Sequence, residues 1–303
     1  MNLTGLLPAV LADPAAAEAV ELARSRARRA TVDVVAPAGV RPPLVAALAQ
    51  ALPAHDPDGS TPPVVVVTAT GRDADELAAA LRGFLPGDDV AVLPAWETLP
   101  HERLSPRSDT VARRLAVFRR LAHPSGEGQA GPVRALVVPV RALLQPVVDG
   151  LGELVPVSLA VGDQVDLTDV ADRLVAAAYS RVDMVERRGE FAVRGGILDV
   201  FPPTDDHPLR IELWGDTVEE IRWFAVADQR SLEVAAEGLW APPCREILLT
   251  ESVRERAAGL LDQLPGAAEM LEKVSQGIAV EGMESLAPVL VDRMVPMLDL
   301  VPD

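Results

Sequence analysis

Cysteine is all but missing from this chain. A single Cys244 among 303 residues excludes an internal disulfide framework and any zinc site built on cysteines. A reducing cytoplasm is the compartment that such a composition fits. Aromatic residues are also scarce, at 3% with one tyrosine and five scattered phenylalanines, which leaves no stacking platform of the usual kind for single-stranded nucleic acid. Positive charge is in deficit, with Lys+Arg 28 against Asp+Glu 45 and a formal charge of -17. Phosphate neutralisation needs a net basic face, so the chain as a whole is disfavoured as a non-specific DNA binder, although a local basic patch is still allowed. No apolar run reaches the ~20 residues of a membrane span. The opening MNLTGLLPAVLADPAAAEAV lacks a basic n-region and is interrupted by Asp13 and Glu18, so it reads as helix and not as signal peptide.

What is present is a soluble globular profile, 49% apolar and 24% charged, with length for roughly two domains of ~100–200 residues each. The first part alternates strand and helix signals and predicts an α/β layer with a parallel sheet. TVDVVAPA (31–38) reads as a first strand, followed by a Gly-Pro turn and the helical LVAALAQAL. The valines of PPVVVVTAT suit a strand covered on both faces. GRDADELAAALRGFL, acidic in its first turn and apolar at helical spacing, predicts an amphipathic helix. VAVLPAW, SDTVARRLAVFRRLAH (N-cap Ser108 or Asp109) and RALVVPV continue as strand, helix and buried strand.

From about Gln145 the pattern changes. A short helix is expected at LTDVADRLVAAAY, starting at Thr168 or Asp169, and RRGEFAVRGGILDVFPP and LRIELWGDTVEEIRWFAV then alternate with period two. Gly195-Gly196 and Gly215-Asp216 punctuate them as turns, so antiparallel β is expected. The remainder reads as a mostly helical tail, and the still apolar end MVPMLDLVPD suggests a piece of something longer.

A strand, a glycine-containing turn and a helix near the start of an α/β lobe is where a phosphate-binding loop would sit. Such a loop needs glycines, free N–H groups, a lysine and a Ser or Thr for magnesium. Here Gly39 is followed by Arg41, Pro42 and Pro43 in the places of the last glycine, the lysine and the Ser/Thr. The prolines remove two backbone donors together with both side chains. A structural turn with prolines at a helix start is the reading that remains, and no cofactor or metal is expected. His55, His101, His123 and His207 show no ligand spacing. Cys244 precedes Arg245, which could lower a thiol pKa, but no partner histidine is identifiable and a passive thiol is the better reading.

Four stretches carry a family resemblance: PAWETLPHERLSPRSDTVARRLAVFRRL, RALVVPVRALLQPV, SRVDMVERRGEFAVRGGILDVFPP and LRIELWGDTVEEIRWFAVADQRSLE. Over essentially its whole length the chain resembles the N-terminal module of bacterial transcription-repair coupling factors (the Mfd family), which is itself similar to the excision-repair protein UvrB. UvrB-like proteins keep a working Gly-Lys-Thr loop, whereas the coupling factors' N-terminal copy is degenerate, and this sequence sides with the latter.

The resemblance implies a degenerate P-loop-NTPase-like (RecA-like) α/β lobe over 1–145. An inserted, mainly antiparallel β domain (UvrB-like domain 2) would follow over 146–232, and a second portion of the lobe over 233–303. It implies a non-catalytic module that docks UvrA to bring nucleotide excision repair to stalled RNA polymerase. The family's ATP-dependent DNA translocase motor, its polymerase-binding part and its double-stranded DNA contacts lie in domains this chain does not contain. The alternative is a UvrB-like nucleotide-dependent DNA-loading subunit. The docking positions carried over are Arg181, Arg194 and Phe201, with Arg210, Glu212 and Arg188 beside them; UvrB-like sequences have a further arginine where this chain has Ala192.

The residues themselves support a docking reading of the arginines. In an alternating strand Ala192, Arg194 and Gly196 share a face, so Arg194 is flanked by small residues and its planar fork can take a carboxylate at two points. Arg187, Arg188 and Arg194 form a cationic island in an acidic chain. The plainer reading pairs these arginines with Glu186, Glu190 or Glu212 and leaves Phe201 as core.

The two function classes separate on nucleotide. A ligand at ~100 times its dissociation constant stabilises its fold by about 2.7 kcal/mol. Thermal melts with and without magnesium-ATP are expected to coincide, and a clear upward shift would restore the DNA-loading alternative.

Overall fold

The structure is a computed structural model and describes residues 2–25, 31–52, 62–99, 102–124 and 131–302. It is mixed α/β, with one parallel and one larger antiparallel sheet. The chain divides into two units, one of residues 1–95, 117–147 and 295–303, the other of 96–116 and 148–294.

In the first unit β1 (Val64–Thr68), β2 (Val90–Val92) and β3 (Ala135–Pro139) form an all-parallel sheet in the order β1-β3-β2. Every residue of β3 is buried, as a continuous apolar run in a doubly covered strand requires. The valine run of β1 was expected to be the covered one. It lies instead at the sheet's edge, with Val67 48% exposed, because β3 takes the centre. The helix Gly71–Leu81 starts on a capping box in which Thr70 Oγ1 accepts from Asp73 N–H and the Asp73 carboxylate accepts from Thr70 N–H. Its Ala74, Ala78 and Leu81 line one face and are buried in the unit's core.

Residues 31–37 correct a second expectation, since they form no strand and Val35 is fully exposed. β-branched residues favour a strand only where a neighbour supplies a ladder, and none pairs with this segment among the described residues. A single 3-10 turn, Ala38–Val40, leads into the helix Arg41–Ala51 with Pro42 and Pro43 in its first turn.

A two-residue strand, β4 (Val147–Val148), stands where the units divide. In the second unit β5 (Val157–Leu159) precedes the helix Leu167–Ala176, whose N-cap is Asp166 and not Thr168 or Asp169. Asp166 Oδ1 accepts from the N–H groups of Thr168 (2.7 Å) and Asp169 (3.4 Å), so the cap stands before the residues first nominated. Then come β6 (Ser180–Arg181), β7 (Glu190–Arg194), β8 (Ile197–Val200), β9 (Leu209–Trp214), β10 (Thr217–Phe224) and β11 (Ser231–Val234). These six strands form one sheet in reversed chain order, antiparallel throughout except for β6 against β7. Gly195 (φ +60°) and Gly215 (φ +65°) make the turns predicted for the hairpins β7–β8 and β9–β10. One sheet face buries Phe191, Leu198, Leu209, Ile211 and Ile221 against Val170 and Leu174 of the helix.

β12 (Leu239–Ala241) returns to pair antiparallel with β5, so the boundary expected at residue 232 falls inside continuous β pairing. The helices that follow, Glu251–Gly259 and Ala268–Ser275, bury Val253, Ala257, Leu271 and Val274 in a core of their own within the second unit. Of the segment expected to complete the α/β lobe, only 295–303 groups with the first unit. No helix among the described residues is long and apolar enough to cross a membrane.

Gly238 makes the turn into β12 at φ +76°, and a Cβ there would collide with the Leu159 carbonyl. Gly238→Ala is expected to cost more than about 1 kcal/mol, read as a lower urea midpoint at unchanged slope.

Candidate docking face of the antiparallel sheet

With the apolar face turned to the core, alternation sends Ala192 and Arg194 of β7 to the other side. Ile197 and Asp199 of β8, Arg210, Glu212 and Trp214 of β9, and Glu220, Arg222 and Phe224 of β10 join them. The register lines these up in two rows. Ala192, Asp199, Arg210 and Arg222 stand opposite one another in the first, and Arg194, Ile197, Glu212 and Glu220 in the second.

One end of this outer face is closed by a small second core of Val185, Ala192, Phe201 and Phe224, against which Val182 and Val226 pack. The middle is held by Asp199, whose side chain is 1% exposed. Arg210 grips it at two points, Nε donating to Oδ1 at 2.7 Å and Nη2 to Oδ2 at 2.8 Å, while Arg194 Nη2 donates to Oδ2 at 2.6 Å. A carboxylate this deep is tolerable only when paired and hydrogen-bonded in full. The Asp199 hydrogen bond raises the Arg210 pKa above its usual value, against the opposing effect of burial, with the charges of Asp199 and Glu212 adding to it. The Arg210 guanidinium also lies over the Phe224 ring at 4.7 Å.

The nominated residues therefore fall into three places. Arg194 stays 49% exposed and Glu212 is exposed, both on the open half of the outer face. Arg210, only 17% exposed, is occupied in holding Asp199. Arg181 pairs in register with Phe191 on the sheet's edge strand, out of step with Arg194, yet both arginines line a shallow concavity with Val182, Asp183 and Val193. Phe201 is buried and Arg188 sits over its ring at 5.4 Å. Arg188 in turn donates to Asp205 O at 2.8 Å and Asp206 Oδ1 at 3.1 Å, so this pair pins the 201–206 loop.

The carboxylates first considered as partners for the arginines are not the ones used. Glu190 Oε2 accepts the backbone N–H groups of Glu186 (2.9 Å) and Arg187 (2.8 Å), while Arg194 and Arg210 turn to the Asp199 carboxylate and Arg188 to that of Asp206. Asp199 went unnominated, although a lone acid in the otherwise apolar ILDV strand was its signal.

The other candidates of the sequence lie elsewhere among the described residues or outside them. Proline has no N–H to offer phosphate at positions 42 and 43, and Val40 N–H is already bonded to Pro37 O at 2.9 Å, so this segment does not fit a triphosphate. Burial pushes the Cys244 thiol up to about 12, outweighing the Tyr179 hydrogen bond and the Arg245 charge that would lower it. Arg245 bonds Glu284 instead, at 2.7 Å. No cluster of metal-ligating side chains occurs among the described residues, and His55 and His101 lie outside them.

The β unit matches the family model of the UvrB interaction domain over residues 157–242. That span begins at β5 and ends just past β12, the two strands that pair to close the unit. The match gives the class of this part of the chain, a UvrB-like interaction domain. The transcription-repair-coupling factor of Mycobacterium tuberculosis is 48% identical over 311 residues, covering 99% of this chain and 24% of its own length. That of Myxococcus xanthus is 38% identical over 75% of this chain and 20% of its own, and that of Bacillus subtilis 32% over 70% and 17%. The chain belongs with the transcription-repair-coupling factors as a UvrB-like module, and it spans about a quarter of the length of the curated relatives it matches.

The Arg188 loop yields a pH-dependent prediction. Burial raises the Asp205 carboxyl from 3.8 to about 6, the charge of Arg188 offsetting only part of it. The folded chain thus holds this proton more tightly than the unfolded chain, and the site's contribution to stability falls as pH rises from about 4 to about 6. Asp205→Asn, which keeps an acceptor for Thr204, is expected to raise the urea midpoint over wild type at pH about 7.5, with the gap narrowing at pH about 5.

Proposed function

We propose that this chain is the UvrA-docking module of a transcription-repair-coupling factor, presenting the outer face of its antiparallel sheet to UvrA so that excision repair is brought to stalled RNA polymerase. The observation that carries this reading is the half-open Arg194, held in a fixed pose by Asp199 on the sheet that matches the UvrB interaction domain. A guanidinium already oriented by one buried carboxylate loses little freedom when it meets a second on a partner, and pre-organised arginines are among the residue types that dominate interfaces. Arg181, on the edge strand of the same concavity, extends the surface.

The module itself is non-catalytic in this reading. Its α/β unit descends from a phosphate-loop lobe whose cradle was filled by Pro42 and Pro43. The translocase motor and the polymerase and double-stranded DNA contacts belong to other parts of the full-length relatives.

Calorimetric titration with purified UvrA tests the proposal. Arg194→Ala leaves Asp199 paired with Arg210, so the fold should survive while binding weakens by about 2 kcal/mol or more. Arg181→Ala is expected to weaken it as well. Wild-type affinity in both variants would move the interface elsewhere.

A further inference from the structure

We propose that Trp214 is the aromatic anchor of this docking face, entering an apolar recess on UvrA that is bordered by a basic group for Glu212 and an acidic group for Arg194. The inference rests on the docking reading above and adds to it the residue and the chemistry that would recognise the partner.

Trp214 ends β9 with 81% of its surface exposed. Trp96, by contrast, is 7% exposed with its Nε1–H on Glu246 Oε1 at 3.0 Å, and Trp223 and Trp240 are half-buried. Alternation places Trp214 in step with Arg210 and Glu212, hence on the outer face, one row beyond Arg194, Ile197 and Glu212. Toward β8 its neighbour is the Gly195-Gly196 turn, held by Leu213 N–H on Gly196 O at 2.8 Å. A Cβ at Gly195 would have nothing within 4 Å, so the turn leaves open floor beside the indole. The sheet thus presents a large flat apolar group and supplies nothing on that side to cover it.

The charges around it state what the partner must bring. Glu212 and Glu220 stand directly opposite each other, an arrangement that disfavours the free sheet. Arg222 takes Glu220 at 2.9 Å, and Glu212 has no ion pair among the described residues. A basic group on the partner relieves that repulsion, while the open side of Arg194 calls for an acid. Between those two, in the same row, lies the half-buried Ile197. An exposed tryptophan and an oriented arginine flanking a small apolar strip have the composition of a binding hot spot, whose energy depends on water being excluded around it.

The test uses this whole chain with purified UvrA. Trp214→Ala is expected to raise the dissociation constant about 30-fold or more, and Trp214→Phe to lose less. In the free chain acrylamide should quench Trp214 readily. UvrA should shield it, and that shielded component should be missing from the Trp214→Phe complex. Wild-type affinity in Trp214→Ala beside a clear loss in Arg194→Ala overturns the anchor and leaves the docking face in place. Wild-type affinity in both, or no binding by the wild-type chain, overturns both readings. Should Trp214→Ala fail to fold, quenching decides: an indole as accessible in the complex as in the free chain overturns the anchor.

Discussion

The carboxylate of Asp199, 1% exposed on a sheet face that is otherwise open to solvent over half its extent, is the point on which the second unit's outer surface is organised. Burying an unpaired carboxylate would cost several kcal/mol, so the strand can carry this acid only while guanidinium groups reach it from the flanking strands. Arg210 does so from β9 with a two-point grip and Arg194 from β7 with a single bond. The difference matters for function. Arg210 is consumed by the interaction and roofed over Phe224, whereas Arg194 is oriented by it and left half free. One buried charge thus separates a structural arginine from a presenting one.

The same logic divides the face along its length. At one end the chain folds back over it, and Phe201, Phe224 and Ala192 are sealed by Val182, Val185 and Val226. Phe201 contributes there by packing and by seating Arg188, which holds the following loop. At the other end the hairpin turns are glycines, side chains are sparse, and no segment among the described residues covers Glu212 and Trp214. A sheet whose two halves are finished so differently has room for the proposed docking only at the unfinished end.

Legibility in the sequence followed the range of the interaction concerned. Strong local patterns were read correctly: the period-two alternation of 190–224, the glycine turns at 195 and 215, the amphipathic helix from Gly71 and the buried strand 135–139. Local propensity failed where a partner decides. The β-branched residues 31–35 have no ladder to join, and the valines of β1 lie at an edge because another strand took the centre. Pairings distant in sequence were invisible. Arg114 reads as the polar side of an amphipathic helix, yet it is fully buried with Nε on Glu246 Oε1 at 2.5 Å, 132 residues away. Within the candidate site Arg194 and Glu212 were nominated from the family resemblance, and the register places both on the outer face. Asp199 left only the trace of a lone acid in an apolar strand, with no periodicity behind it, and its importance lies in two arginines on different strands.

At a Debye length of about 8 Å the field of a chain of charge -17 is largely screened at a distance, and its sign offers an acidic surface no long-range attraction. In the docking proposed above, recognition on the outer face is therefore made at contact. Alternating signs suit that task. Arg194 and Glu212 flank Ile197 in one row, so a correctly placed counter-surface meets both charges at once, and one shifted by two strands sets its acid against Glu212. Specificity on such a face comes as much from the penalty for wrong registers as from the gain in the right one. The fixed pose that Asp199 imposes on Arg194 sharpens that penalty, because an oriented guanidinium cannot swing to accommodate a displaced acid.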